Sequence, residues 1–407
     1  MYTIKEFYGE EALAYRRLMC MMFRWSNEKL TNPEEFKKQL VEEDENQEEG
    51  FFRLGAYADG TLYAAIECSG HTIYFDGMNC KMCGVGGVVS DFNGPFKGAV
   101  KQIYQKAFEI MREKGQIFSH LYPFAENYYR QFGYDASAEY ALWSVPVERL
   151  SIPQYGKNVY FDASKKMKAD LESVYGLFIK NQNLAVVKNK TQWKLFYKNR
   201  IPYQGRSSYV HYADDGTPDG YIDFLAIKND GTQDLEVKTL WYTTLQGLKG
   251  CLSVFEKQRQ YCNRVIIKLP KGLDISAFID TTGGWGRKDK DTLHSLTNNG
   301  TSRVVDVEEV LKLAKADGEG KVCIEITGDI YAPWNNGTYT VVFGKDKKVK
   351  RGGEADIQMD INAFSSAILG RYTLENLELL ESVKVFSNRE DLKKFFYIKP
   401  IWLEDTF

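Results

Sequence analysis

Fourteen consecutive residues, YPFAENYYRQFGYD from Tyr122 to Asp135, hold four tyrosines and two phenylalanines in a chain that is 14% aromatic overall. Such a density has two readings. Aromatic rings bury large areas and close cores, and a phenol can also move a proton where it is held against a reacting atom. A second place for chemistry lies upstream, where CGVGGVVSD runs through NGPFKG into KGAVKQIYQKAFEIMREKG. A strand that turns into a helix presents unpaired N–H groups and the positive end of a helix dipole to an anion, and a diphosphate fits there. Gly94, Pro95 and Gly98 would equally serve just to turn the chain. A third candidate is the CxxC of Cys80-Lys81-Met82-Cys83. A zinc site needs two more ligands at matching spacing, and the four histidines (His71, His120, His211, His294) are single and dispersed, so no metal is expected.

The elements that must position these residues follow from hydrophobic periodicity. Residues 9–30 and 33–42 read as helices, followed by the strands FRLGAYA, TLYAAIECS and HTIYFDG and then CGVGGVVSD. In the next segment Val100, Ile103, Tyr104, Ala107, Phe108 and Met111 fall at i, i+3, i+4, i+7, i+8 and i+11, one face of an amphipathic helix. The strand QIFSHLY, the tyrosine-rich stretch and a last strand EYALWSVPV complete a unit near residue 148. The same order recurs. Helical KADLESVYGLFIKNQ and TQWKLFYKNR precede strands SSYVHYAD, GYIDFLAIKN and DLEVKTLWYT, then a helix from Thr244 and strand RVIIKL, which suggests a duplicated unit without visible sequence likeness. TTGGWGRKDKD, 281–291, mixes glycine and charge and marks a boundary. Beyond it come RVVDV, the helix VEEVLKLAKADG, strands KVCIEIT, TYTVVFG and ADIQMDI, and short helices around NAFSSAILG, LENLELLES and REDLKKFF, with an Asn-Gly turn in WNNG.

Composition bounds what such a chain does. Its 407 residues exceed one ordinary core and suggest roughly two to four domains. With 53 basic against 55 acidic residues and no long basic run, nucleic acid and anionic membrane are not expected partners. No apolar stretch approaches the roughly 20 residues that cross a bilayer, and the start MYTIKEFYGEEALAYRR has acids where a signal peptide needs an apolar core. Seven cysteines, an odd number in mostly apolar surroundings, fit reduced core thiols. The expectation is a cytoplasmic protein.

GVGGVVSDFNGPFKGAVKQIYQKAFEIMREKG followed by SHLYPFAENYYRQFGYD resembles the acetyl-CoA site of the GNAT acetyltransferases, and specifically of the Eis (enhanced intracellular survival) family. CIEITGDIYAPWNNGTYTVV with ADIQMDINAFSSAILG resembles that family's C-terminal domain, which is similar to sterol carrier proteins. The resemblance spans the chain and implies an α/β (α+β) fold: a GNAT acetyltransferase domain (1–148), a degenerate GNAT-like domain (149–285) and a sterol-carrier-protein-like domain (286–407). It implies acetyl-CoA as cosubstrate, with Val88, Val89 and Ser90 along the pantetheine arm, Phe124 and Ala125 on the far side, and Phe96, Lys97, Gly98, Ala99, Val100 and Lys101 at the diphosphate. The family's loop reads Arg/Gln-x-x-Gly-x-Gly/Ala, whereas Pro95-Phe96-Lys97-Gly98-Ala99-Val100 stands here. The leading basic residue is absent, and a proline has no N–H to donate.

The pattern Tyr-x-x-Phe-Gly-Tyr places the family's general-acid tyrosine on Tyr129. Amine attack on a thioester expels a thiolate, and a phenol of pKa about 10 protonates a thiolate of pKa about 8.5 only if the two are held together. Tyr122, Tyr128 and Tyr134 read as packing residues. The resemblance also implies a general base at the terminal carboxylate, which falls on Phe407 in WLEDTF. Burial would raise its pKa from about 3.5 toward a useful range. Ordinary termini fray, but IKPIWLEDTF is too apolar for a solvated tail. The implied acceptor is a cationic amine, aminoglycoside-like or lysine-type, with Phe23 and Trp25 at its site and Glu404 and Asp405 as sources of negative field or simply surface charges. The family assembles as hexamers. Two other functions remain open: a catalytically degenerate ligand- or partner-binding relative, motivated by Pro95-Phe96, and an apolar-ligand carrier acting through the C-terminal domain.

Overall fold

The computed structural model describes residues 1–198, 206–229, 232–280 and 292–405; the expected boundary 281–291 and residue Phe407 lie outside them. In chain order, β1 (Thr3–Glu6) is followed by α1 (Ala12–Phe23), α2 (Pro33–Glu45), β2 (Phe52–Ala58), β3 (Thr61–Phe75), β4 (Met78–Ser90), α3 (Ala99–Glu113), β5 (Gln116–Leu121), α4 (Glu126–Arg130) and β6 (Asp135–Ala136). Next come β7 (Glu139–Pro146), β8 (Lys157–Tyr160), α5 (Lys165–Ile179), α6 (Lys190–Lys198), β9 (Arg206–Tyr212), β10 (Pro218–Asn229), β11 (Thr232–Tyr242), α7 (Leu245–Leu252), β12 (Arg264–Pro270) and β13 (Leu293–Asn298). The chain closes with β14 (Thr301–Val304), α8 (Val307–Leu313), β15 (Gly320–Thr327), β16 (Gly337–Phe343), β17 (Lys348–Arg351), β18 (Ile357–Asp360), α9 (Ile361–Leu369), α10 (Leu374–Leu377), β19 (Lys384–Val385) and α11 (Arg389–Phe395).

Two compact units result. The first comprises Met1–Ala138, Asn299–Lys399 and the chain from Glu404; the second comprises Glu139–Asn298 and Pro400–Leu403. The first holds a sheet of order β1-β2-β3-β4-β5-β14-β6 and a five-stranded sheet β17-β16-β15-β18-β19. The second holds β13-β7-β12-β11-β10-β9-β8. Both seven-stranded sheets are antiparallel except at one step, β4 with β5 and β11 with β12. The expected recurrence, two helices, three antiparallel strands, a crossover helix and a parallel strand, is a recurrence of topology, and in both units a short strand, β1 or β8, precedes it.

Two strands sit elsewhere than the linear order predicts. EYALWSVPV, expected to complete the first unit, is β7 and pairs with β12 and β13 in the second sheet. The position beside β5 is taken instead by β14, from the RVVDV segment expected to open the third domain. Alternation of apolar residues defines a strand but not the sheet that receives it. Arg303 fixes β14 in place. Fully buried, it donates to the Phe132 carbonyl and to Asp329 (2.5 Å) and lies 4.0 Å over the Phe108 ring. A guanidinium removed from water is tolerable only when its donors are met in this way.

The amphipathic face of α3 lies where its spacing predicts: Val100, Ile103, Tyr104, Ala107, Phe108 and Met111 are all buried. Truncating such a core aromatic, Phe108 for example, costs about 3–5 kcal/mol. The helix expected over 9–30 is shorter and divided. Arg24 adopts a left-handed conformation (φ 56°) that ends α1, and a separate 3-10 turn covers Glu28–Thr31. No helix among the described residues is long and apolar enough to cross a membrane.

Candidate functional site

The first sheet opens where its parallel pair ends. β4 and β5 pair from Lys81↔Gln116 to Gly84↔His120, after which β5 has one more residue and the chain leaves through Tyr122-Pro123-Phe124-Ala125 into α4. β4 runs on to Ser90, held on its other edge by β3 through Glu67↔Gly86, Ala65↔Val89 and Ala64↔Ser90. A wedge results, with Val85–Ser90 on one side and Phe124, Ala125 and α4 on the other. Strand edges carry N–H and C=O groups that must find a partner, and an extended amide-bearing ligand supplies one.

Gly87 sets the course of β4 past the opening. The β3–β4 register slips between Ala65 and Glu67, so Gly87 and Val88 oppose Ile66 alone, a β-bulge. Gly87 has φ 53°, and a Cβ there would lie 1.7 Å from the Tyr15 hydroxyl, which donates to the Gly87 carbonyl at 3.1 Å. Only glycine meets both demands. Neither Gly87 nor Tyr15 stood out in the sequence, because a bulge has no signature without its partner strand.

The junction before α3 presents its amides unevenly. Gly98, the N-cap, has φ 82°, faces open space and gives no side-chain cap, and Lys97 and Lys101 are exposed. The N–H groups at the start of α3 therefore point outward with the helix dipole behind them. Ala99 and Val100 are buried by their side chains. Ahead of them, Pro95 has no N–H, and the Phe96 N–H goes to the Tyr2 hydroxyl (3.3 Å), which in turn donates to the Phe96 carbonyl (2.7 Å). The donors left at this loop are the N–H groups from Gly98 to Lys101 and the two lysine side chains, beside the exposed ring of Phe96.

The four tyrosines of the opening stretch have different fates. The Tyr134 hydroxyl is bonded to Ser119 Oγ at 2.6 Å, and Tyr122 donates to the Asp405 carbonyl. Tyr128 is half-buried in ring contacts. Tyr129, at 4% exposure, packs edge-on against Tyr104, Phe124, Tyr128 and Tyr134, with ring centroids 5.1–6.5 Å away. Among the described residues its hydroxyl has no hydrogen-bond partner, although it is not sealed off as the Tyr104 hydroxyl is. Burial, and then Tyr128, pushes its phenol well above the ordinary value. Tyr129 shares one core with Val85 of β4 and with Val88 beside it.

Asp405, the last described residue, is pinned by Tyr122, whose phenol is pushed up by burial and then by Asp405 and Glu404. Tyr122, a packing residue by its sequence context, instead bonds to a residue 283 positions away, a contact invisible in one dimension. Phe23 and Trp25 stack at 4.8 Å and 22° on either side of Arg24, both exposed. Cys80 and Cys83 stand three apart on β4, where alternate residues face opposite sides of the sheet, so their thiols diverge. No group of three or more metal-ligating side chains occurs among the described residues.

In the second unit the parallel strands part as well, β11 and β12 after Glu236↔Ile266, but the helix start that follows is occupied. Thr244 caps α7 by accepting from the Gly247 N–H (2.9 Å) and donates to the buried Asp219 carboxylate (3.1 Å), which also meets His211 Nδ1 (2.5 Å). An internal acid therefore stands at the start of α7, where the first unit leaves α3 uncapped. Pro400–Leu403 are built into this unit: Asn183 brackets Ile401 by backbone bonds, and Tyr140 Oη accepts from the Leu403 N–H at 2.8 Å.

Comparison with known proteins gives two domain matches. Residues 3–137 match the acetyltransferase (GNAT) domain and residues 307–403 the sterol carrier protein domain. No curated protein matches the sequence. Among solved structures, similar folds include a probable N-acyltransferase of unknown function from Enterococcus faecalis V583 (19% identity, TM-score 0.80), a GCN5-related N-acetyltransferase from Anabaena variabilis ATCC 29413 (16%, 0.81) and Eis1 from Mycobacterium abscessus (17%, 0.79). Each alignment covers 100% of both chains.

Proposed function

Because residues 3–137 match the GNAT acetyltransferase domain, residues 307–403 match the sterol carrier protein domain and the whole fold is similar to that of Eis1, we propose that the chain transfers acetyl from acetyl-CoA to a cationic amine in the wedge between β4 and α4. The observation that carries this reading is Tyr129, a buried phenol beside the parted strands whose hydroxyl has no hydrogen-bond partner among the described residues. In it, Val88, Val89 and Ser90 lie along the pantetheine amides, Phe124 and Ala125 face them, and Lys97, Lys101 and the Gly98–Lys101 N–H groups hold the diphosphate. Charge-assisted bonds of this kind contribute roughly 1.5–3 kcal/mol each.

Tyr129 acts as general acid. A phenol raised by burial is protonated at neutral pH, so it donates rather than accepts, and it serves the thiolate that departs as the amine attacks the thioester. The base in this reading is the carboxylate of Phe407. It is supported by Tyr122, which holds the chain two residues upstream, within about 7 Å of extended backbone. Stacked Phe23 and Trp25 offer their faces to the acceptor's cation. The closed start of α7 supports a single coenzyme site per chain, in the first unit.

One observation favours a second reading, a binding module without turnover: Pro95 stands where a basic residue would lead the loop before α3, and the Phe96 amide is already engaged. Calorimetric titration with acetyl-CoA separates the two. Saturable binding at micromolar coenzyme is expected, and no heat at millimolar coenzyme would end the enzymatic reading.

A further inference from the structure

Outside the wedge, three lysines converge on one carboxylate in the first unit. Asp76, in the turn between β3 and β4, accepts from Lys399 Nζ at 2.7 Å and from the Lys315 N–H at 2.6 Å, and Lys399 Nζ also donates to the Lys315 carbonyl at 3.1 Å. Lys399 is buried, so its ammonium depends on Asp76 for compensation. Lys347 comes to the same cluster from the turn between β16 and β17 and donates to the Ala314 carbonyl. No carboxylate stands within ion-pair distance of it among the described residues. Asp76 is already engaged, and Lys399 and Lys315 add positive charge nearby.

A half-buried ammonium beside two other cations, with only a carbonyl as partner, gives up its proton more readily than an exposed one. Burial first, then Lys399 and Lys315, pull Lys347 down to about 8 against the attraction of Asp76. At pH 8 about half of its amine is then neutral, against roughly one in three hundred for an ordinary lysine. A neutral amine can give one N–H to Ala314 and still keep its lone pair. The position is also reachable: Lys347 ends a hairpin turn whose Lys345 and Asp346 are exposed.

We propose that Lys347 is a self-acetylation site, an amine that takes acetyl directly from acetyl-CoA without the wedge chemistry. Nζ attacks the thioester carbonyl carbon, the C–N bond forms and the C–S bond breaks. CoA leaves as the thiol with the proton that Nζ loses. The modification removes a cation of the cluster that has no carboxylate within ion-pair distance among the described residues, and it leaves the Lys399–Asp76 pair intact.

The test is to incubate the full chain with acetyl-CoA at pH 8 and measure acetylation at each lysine by peptide mass spectrometry. Exposed Lys345, two residues away, is the internal reference, and Tyr129→Phe protein is treated in parallel. Lys347 is expected to react at least tenfold faster than Lys345, equally in both proteins, with a rate that levels off above about pH 8 while that of Lys345 keeps rising. Equal rates at the two lysines, or a Lys347 rate that collapses in Tyr129→Phe, would overturn the proposal. Because the Tyr129→Phe arm bypasses the general acid, neither result depends on the function proposed for the wedge.

Discussion

Tyr129 and Pro95 pull the functional reading in opposite directions. Tyr129 has what a proton donor needs: burial that keeps the phenol protonated, rings that fix its orientation, and a hydroxyl not committed to any other described residue. Pro95 removes an N–H from the loop that should hold a diphosphate, and Tyr2 takes the next one. Restoring a basic residue is a direct probe. Pro95→Arg adds both a cation and a backbone donor near the start of α3, and should tighten acetyl-CoA binding by about tenfold, the value of one charge-assisted bond. An unchanged dissociation constant by calorimetry would mean that the loop does not contact the coenzyme.

At the scale of elements, the first sheet depends on a strand delivered from far along the chain. β14 meets β5 through Ser302, whose hydroxyl bonds to His120 Nδ1 at 2.8 Å and to Ser137 at 2.8 Å. His120 is fully buried, and burial, then His71, drives it down to about 3. A histidine depressed in the fold is neutral there but protonates in the unfolded chain near pH 6.5, so its contribution is complete above that pH and is lost progressively as pH falls toward 3. His120→Asn should therefore flatten the dependence of unfolding free energy on pH between 6 and 4 by up to about 1.4 kcal/mol per pH unit, the effect of one proton. Parallel slopes in denaturant titrations of parent and variant would contradict this. Much at this scale was legible in the sequence. The buried face of α3, the strands β2, β4 and β5 and the order of helices and central strands in both units follow from periodicities of 3.6 and 2, whereas the short edge strands β1 and β8 and the union of TLYAAIECS with HTIYFDG in β3 do not. The exchange of β7 and β14 was not legible, since pairing partners are a tertiary fact. Nor was the bulge at Gly87, one glycine among several in CGVGGVVSD until Tyr15 is seen against it.

For the molecule as a whole, the C-terminal segment is the thread to follow. Pro400–Leu403 are stitched into the second unit by Asn183 and Tyr140, and Asp405 is bonded to Tyr122 in the first. The apolar composition of IKPIWLEDTF foretold that it would be buried, with Ile401, Trp402 and Leu403 inside, but not which tyrosines would hold it. If that stitching serves to deliver a carboxylate at Phe407, one glycine added after it displaces the charge by up to about 3.5 Å. Because a misplacement of about 1 Å can cost a hundredfold in a positioned reaction, the extended protein should melt like the parent and lose most of its turnover. Turnover within a factor of two of the parent would move the base elsewhere, with Glu404 and Asp405 the next residues to test.

The central claim is that Tyr129 protonates the departing thiolate, and the most direct measurement is the rate of CoA thiol release from acetyl-CoA with a saturating cationic amine, in parent and in Tyr129→Phe. The substitution removes one oxygen that has no bonding partner among the described residues, so packing and coenzyme affinity should be preserved. A general-acid Tyr129 predicts a fall in kcat of roughly a hundredfold or more, with acetyl-CoA affinity within about twofold of the parent. Equal kcat in the two proteins would contradict it and return Tyr129 to the packing role of its neighbours.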